Sequence, residues 1–208
     1  MKFDVLTLFP EMFECLEQSI IGRAKEKELI DINLINIRDF SKDKHKKVDD
    51  TPYGGGAGMI MMPDVVYDAY KSIKSADAKV IYMSPQGKKL DQKKVESLSQ
   101  ENHLIILCGH YEGIDYRFES YVDEKVSIGD YILTGGELPS MVIVDGILRL
   151  LDEAISKESL DVETFDDNLL EYPQYTRPYE YKGDKVPDVL CNGNFKEIDK
   201  YNKKMSIL

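Results

Sequence analysis

Three short stretches pair glycine with residues able to grip a small molecule: SPQGKKL (84–90), GHYEGIDYR (109–117) and TGGELP (134–139). Glycine lets main-chain amides and carbonyls approach a ligand with no Cβ in the way. Such stretches suit recognition of a flat or extended small molecule, gripped mainly by backbone. The common nucleotide fingerprints are missing. FPEMFE (9–14), after the first apolar run, has no G-x-G-x-x-G, and GGGAGM (54–59) lacks the Lys-Ser/Thr of a P-loop. The three cysteines, Cys15, Cys108 and Cys191, are odd in number and widely spaced, which suggests a reducing compartment and not a disulfide framework. With no CxxC and only His45, His103 and His110, no metal-ligand set stands out.

These stretches need elements to position them. FDVLTLF (3–9), INLINI (32–37), KVIYM (79–83), HLIILC (103–108) and KVSIGDYIL (125–133) read as strands. Between them lie helical patterns. One follows Pro10, with Met12, Phe13, Leu16, Ile20 and Ile21 on one face. Others span 63–76, 90–100 with Asp91 as its cap, and PSMVIVDGILRLL (139–151), opened by Pro139. Alternation of this kind predicts an α/β fold with a mostly parallel sheet. Ligands of such sheets bind beyond the carboxyl ends of the strands. Each of the three glycine-bearing stretches follows a strand, so they are expected to converge there.

The chain has 208 residues, 42% of them hydrophobic, enough for one ordinary domain and a small appendage. It has no run of eighteen apolar residues, and MKFDVLTLFPEMFE is wrong for a signal peptide, so a cytoplasmic protein with no membrane partner is expected. The net charge of −11 taken alone argues against nucleic acid, but the charge is segregated. Residues 152–171 carry eight acids and one base, whereas 38–47 read RDFSKDKHKK. The expected division is 1–151, an acidic linker at 152–170, and a loop-rich segment with a short helix at 171–208.

YGGGAGMIMMPD, YMSPQGKKLDQ, LCGHYEGIDYR and EKVSIGDYILTGGELPSMVIVDGILRLL resemble the bacterial tRNA (guanine-N1)-methyltransferases, a branch of the SPOUT class. LFPEMFE and LLEYPQYTRPYEYKGDKVPDVLCNGNFKEI extend the resemblance over nearly the whole chain, in order. The resemblance implies a catalytic domain with a deep trefoil knot formed by the segments that carry the three stretches, a feature sequence reasoning alone discards. It also implies a small helical C-terminal domain that helps to clasp tRNA. The expected product is tRNA methylated at N1 of the guanosine just 3′ of the anticodon. The methyl donor is S-adenosylmethionine, and the enzyme is a homodimer with the site at the subunit interface.

Carried over position by position, the implied cofactor pocket takes Met83, Ser84, Pro85 and Gln86 from the first stretch and Gly109, Tyr111 and Glu112 from the second. The third region gives Ser127, Ile128, Gly129, Asp130, Tyr131, Ile132, Leu133, Gly135, Gly136, Leu138 and Pro139. Adenine is expected against the main chain of 129–133, with Gly135-Gly136 where a side chain would strike the cofactor. Arg149 matches the family's catalytic cation. The family's base is an Asp two residues before a Phe. Here Glu163 stands two before Phe165, with Asp161 as the alternative base. Expected RNA-facing residues are Arg38, Lys42, Lys44, His45 and Lys47, with Arg177 and Tyr175, which can stack on a base. The resemblance further implies that magnesium aids activity, although no ligand spacing marks a site. Family members usually continue beyond the segment matching KYNKKMSIL, so the C-terminal domain is expected to be shortened. A reading of another class is a cofactor-binding paralogue that no longer methylates.

Overall fold

HLIILC is apolar throughout after its histidine, and the strand it forms is buried along its whole length. Period-two alternation divides such a strand between two layers. The computed structural model describes residues 1–154 and 172–206. The chain divides into two compact units, Met1–Ile155 and Ser156–Leu208.

The first unit runs β1 (Lys2–Thr7), a 3-10 segment (Pro10–Glu17), α1 (Ser19–Glu26), β2 (Asp31–Asn36), a 3-10 segment (Ile37–Phe40), β3 (Asp49–Asp50), β4 (Ile60–Met61) and α2 (Pro63–Ile73). It continues with β5 (Ala78–Lys89), α3 (Gln92–Ser99), β6 (His103–Cys108), a 3-10 segment (Tyr116–Tyr121), β7 (Glu124–Ser127) and α4 (Glu137–Arg149). Five strands form one sheet in the order β2-β1-β6-β5-β7, with every pairing parallel. The expected α/β class with a parallel sheet is what forms.

β6 lies at the centre. Leu104, Ile106 and Cys108 join Phe3, Val5, Ile81 and Met83 on one face, under Val95 and Leu98 of α3 and Ile143, Val144, Ile147 and Leu148 of α4. Ile105 and Leu107 join Leu6, Val80 and Tyr82 on the other, under Val65, Val66, Ala69 and Tyr70 of α2. Each fully buried Ile or Leu contributes about 1.5–3 kcal/mol, so this double-sided burial dominates the unit's stability.

Local signals fix the helix ends. The Asp91 side chain accepts the Lys94 N–H at 2.8 Å, the cap the sequence predicts for α3. α4 begins at Glu137, two residues before the expected Pro139. In the second unit, Glu180–Tyr181 and Asp184–Lys185 form β8 and β9, a hairpin turning on Lys182 and Gly183, both with positive φ. A helix follows at Phe195–Met205.

At the opposite end of the sheet from the glycine-bearing stretches, Asp4 is fully buried. It accepts from Asn33 Nδ2 at 2.8 Å and faces His103 Nε2 at 2.7 Å and Lys2 Nζ at 2.9 Å. Burial pushes its carboxyl up, but these partners outweigh burial and hold it below its ordinary value.

Candidate functional site

β6, β5 and β7 are neighbours, so the segments leaving them stand side by side. The first stretch is not a loop after a strand but a bulge within one. Met83 pairs with Val126, and Lys88 pairs with Val126 again, so Ser84 to Gly87 are looped out between. The Ser84 hydroxyl accepts the Gln86 N–H at 3.3 Å and steadies the bulge.

The second stretch leaves β6 at Gly109 and turns back at once, with the Gly113 N–H donating to the His110 carbonyl at 3.0 Å. Tyr111 and Gly113 both take positive φ. The glycine-rich 54–59 segment, which has no phosphate-loop signature, joins β3 and β4 and braces this turn. Glu112 N–H donates to the Met59 carbonyl at 3.0 Å, and Met61 N–H to the Gly113 carbonyl at 2.9 Å.

The third region corrects the expected strand 125–133. β7 stops at Ser127, whose hydroxyl donates to the Gly129 carbonyl at 2.9 Å and accepts the Gly129 N–H at 3.3 Å. These local bonds compete with the strand ladder and turn the chain.

Together the three segments enclose a cavity of about 290 Å³, near the small end of the roughly 300–1,000 Å³ usual for small-molecule sites. Its walls include Met83, Ser84, Pro85, Gln86, Gly109, Glu112, Ser127, Ile128, Gly129, Tyr131, Leu133, Gly135, Gly136 and Pro139. Tyr111, Asp130, Ile132 and Leu138 are not among the lining residues. Asp130 pairs with Lys89, and the other three are exposed. The sequence reading missed Tyr82, His110, Tyr116, Glu119 and Thr134 on the walls. His110, Tyr116 and Thr134 lie inside the glycine-bearing stretches, where residue type alone does not separate them from their neighbours. Glu119 sits in a 3-10 segment with no local signal.

The wall chemistry is mixed. Met83, Pro85, Ile128, Leu133 and Pro139 offer apolar surface, and Glu112 and Glu119 offer carboxylates. That set suits a ligand with a flat or apolar part and a positive charge. Burial raises the Tyr82 phenol, and nearby Glu119 raises it further, so it stays neutral, hydrogen-bonded to the Ile114 main chain.

Gly135 and Gly136 line the cavity, but their missing side chains make room for the protein itself. A Cβ on Gly136 would stand 2.7 Å from the Cα of Cys108, and one on Gly135 would stand 2.3 Å from Glu137 Oε2 and 2.5 Å from His110 Nε2. The absence of a side chain is thus required here by the protein's own packing: at Gly136 the main chain of the second segment fills the space a Cβ would take, and at Gly135 the Glu137 and His110 side chains fill it. His110 and Gly135 form an antiparallel bridge.

The remaining candidates lie elsewhere. Arg149 is exposed at the last position of α4 and is not among the lining residues. Glu163 and Asp161 fall outside the described residues. Arg38 lies over the Phe9 ring at 5.7 Å. Lys42 pairs with Asp68 at 2.8 Å and Lys47 with Asp50 at 3.0 Å, while Lys44 and His45 are exposed. Neighbouring acids thus offset part of the basic segment's charge. In the second unit, Tyr175 and Arg177 are exposed. Among the described residues no group of three His, Cys, Asp or Glu is placed to hold a metal ion, and no helix is long and apolar enough to cross a membrane.

A family model described as "tRNA (Guanine-1)-methyltransferase TrmD" matches residues 1–208. Curated relatives named "tRNA (guanine-N(1)-)-methyltransferase" are similar over the whole chain. The protein of Ruminiclostridium cellulolyticum is 56% identical, with 91% of its own length covered. That of Caldanaerobacter subterraneus subsp. tengcongensis is 54% identical with 87% covered, and that of Clostridium acetobutylicum 52% with 86% covered.

Proposed function

The chain belongs to the tRNA (guanine-1)-methyltransferase family, and from that premise we propose that its cavity takes S-adenosylmethionine and serves methylation of N1 of the guanosine immediately 3′ of the anticodon. The observation that carries this reading is the convergence of three glycine-bearing segments on one cavity with apolar walls and two carboxylates. Apolar surface suits adenine, and the carboxylates of Glu112 and Glu119 suit a cationic ligand. When bound, the donor supplies an electrophilic methyl carbon on a positively charged sulfur.

The chain's own residues must then remove the N1 proton and stabilise charge developing on O6. A carboxylate is a far weaker base than the guanine N1 anion, so a cation near O6 must carry much of the burden. We assign the base to Glu163, with Asp161 as the alternative, and the cation to Arg149. α4 has 13 residues, so at 1.5 Å per residue Arg149 stands roughly 20 Å from the helix start at the cavity. That distance favours a homodimer in which Arg149 serves the cavity of a second copy. Exposed Ile132, Leu138, Val142 and Met12 supply apolar surface for such a pairing. The Met12 segment lies beside α4, with Cys15 Sγ 3.2 Å from Met141 Sδ.

The close passage of the third segment against the second supports a trefoil knot. We assign 1–151 to catalysis, 152–170 to an acidic linker and 171–208 to tRNA binding, with Tyr175, Arg177 and the Arg38–Lys47 region facing RNA. A tRNA substrate places the work in the cytoplasm. Nothing among the described residues supports magnesium.

The test is transfer of labelled methyl groups from S-adenosylmethionine to an anticodon stem-loop carrying guanosine at that position, beside one carrying adenosine. Transfer to the first alone is expected. Donor binding by calorimetry with no turnover on full-length tRNA would reduce the protein to a binding module.

A further inference from the structure

Glu137 is 1% exposed, and none of the chemistry above uses it. A carboxylate taken out of water is costly unless partners compensate. Its partners come from two other parts of the chain. Oε1 accepts the Thr7 hydroxyl at 2.8 Å, at the carboxyl end of β1. Oε2 stands 3.5 Å from His110 Nε2, in the second segment of the cavity wall. Thr7 is fully buried, and its hydroxyl also accepts the Phe9 N–H at 2.9 Å. The Phe9 ring in turn packs on the His110 imidazole with centroids 4.9 Å apart. One carboxylate therefore meets the rigid sheet, the second segment and the third.

A simpler role exists. Glu137 opens α4, and an acid in a first turn favours the positive end of a helix. That role needs neither burial, nor Thr7, nor His110.

We propose that Glu137 is a positioning residue: by holding the Thr7 hydroxyl and facing His110, it fixes the second and third segments at the separation that shapes the cavity. The consequence for donor binding rests on the reading of the cavity as a methyl-donor site; the positioning itself does not.

The test uses the full chain as wild type, Glu137→Ala, Glu137→Gln, His110→Ala, the Glu137→Ala/His110→Ala pair and Thr7→Ser. Hydrogen–deuterium exchange of the ligand-free protein is the first readout. Glu137→Ala should speed exchange at 109–113 and 129–136 roughly ten-fold, with 104–107 unchanged. The second readout is kinetic. Glu137→Ala should raise Kd and KM for S-adenosylmethionine roughly ten-fold or more, with kcat changed less than about three-fold. Glu137→Gln keeps an acceptor for Thr7 and should fall between, and Thr7→Ser should match wild type. The double variant should lie within about two-fold of Glu137→Ala, because the two side chains act as one unit. Should Glu137→Ala fail to fold, Glu137→Gln and His110→Ala carry both readouts. Unchanged exchange in both segments with KM within about two-fold would overturn the proposal, even with a lowered Tm, and leave only a helix-end charge. Faster exchange in a protein whose wild type neither binds donor nor turns over would sink the donor reading and leave the positioning role standing.

Discussion

The Gly136 N–H donates to the Gly109 carbonyl at 2.9 Å, a main-chain bond between the segment after β7 and the segment after β6. The chain passes so closely that a Cβ on Gly136 would strike main chain, 2.7 Å from the Cα of Cys108. Backbone cannot swing away as a side chain can. Gly136→Ala should therefore destabilise by about 1–3 kcal/mol, as overpacking does. It should also weaken donor binding, because the strain is relieved by opening the cavity wall. Thermal melts and calorimetry with S-adenosylmethionine check both.

Arg149→Ala should lower turnover by about a hundred-fold or more, the scale seen on removing a group that stabilises developing charge. Donor affinity should stay within a few-fold. If Arg149 serves a second copy, mixing Arg149→Ala protomers with Gly136→Ala protomers should restore part of the activity that each variant lacks alone. Absence of any rescue would place the cation in its own chain's reaction.

Glu163→Gln and Asp161→Asn, compared singly, assign the base. Loss of turnover by about a hundred-fold or more is expected for Glu163→Gln, against a small effect for Asp161→Asn. The reverse order moves the role to Asp161.

Asp4 makes stability depend on acidity. Its carboxyl sits below the ordinary value because Lys2, Asn33 and His103 together outweigh burial. A depressed folded pKa contributes stability that is full above the unfolded value of about 4 and is lost as pH falls through the lower folded value. Asp4→Asn should cost about 1.5–3 kcal/mol at pH 7, as for hydrogen bonds to a charged group. The gap from wild type should narrow below about pH 4. Urea titrations at the two pH values measure it.

Cys108 should be inert. Burial pushes its thiol up and the Glu137 charge pushes it further, against a single opposing hydrogen bond from Ser140. The thiolate is the reactive form. Native protein should react with a thiol reagent at exposed Cys15 and Cys191 only, and the third thiol should appear on unfolding.

Much of the frame can be read from local pattern. HLIILC coincides with β6, and the run 3–9 falls within two residues or so of β1, because a strand buried on both faces writes its own signature; the edge strand β2, half-exposed, still shows in the run 32–37. Asp91 and Pro10 mark helix starts for equally local reasons. Other elements left no such mark. β5 runs on to Lys89 only because Val126 accepts pairing on both sides of the bulge, and β7 ends early because Ser127 bonds to Gly129. The hairpin of β3 and β4 has two-residue strands, too short to show periodicity.

The candidate site divides in the same way. Residue types and order alone mark three glycine-bearing stretches, and with them the α/β class and the family resemblance. Which of those residues face one cavity was decided by the strand order β6-β5-β7, a matter of pairing between distant segments. The burial of Glu137 between Thr7 and His110 and the crowding at Gly136 were decided there too. A sequence records what each residue prefers near its neighbours in the chain. Contacts across more than a hundred residues, such as Thr7 with Glu137, exist only once the whole sheet has closed.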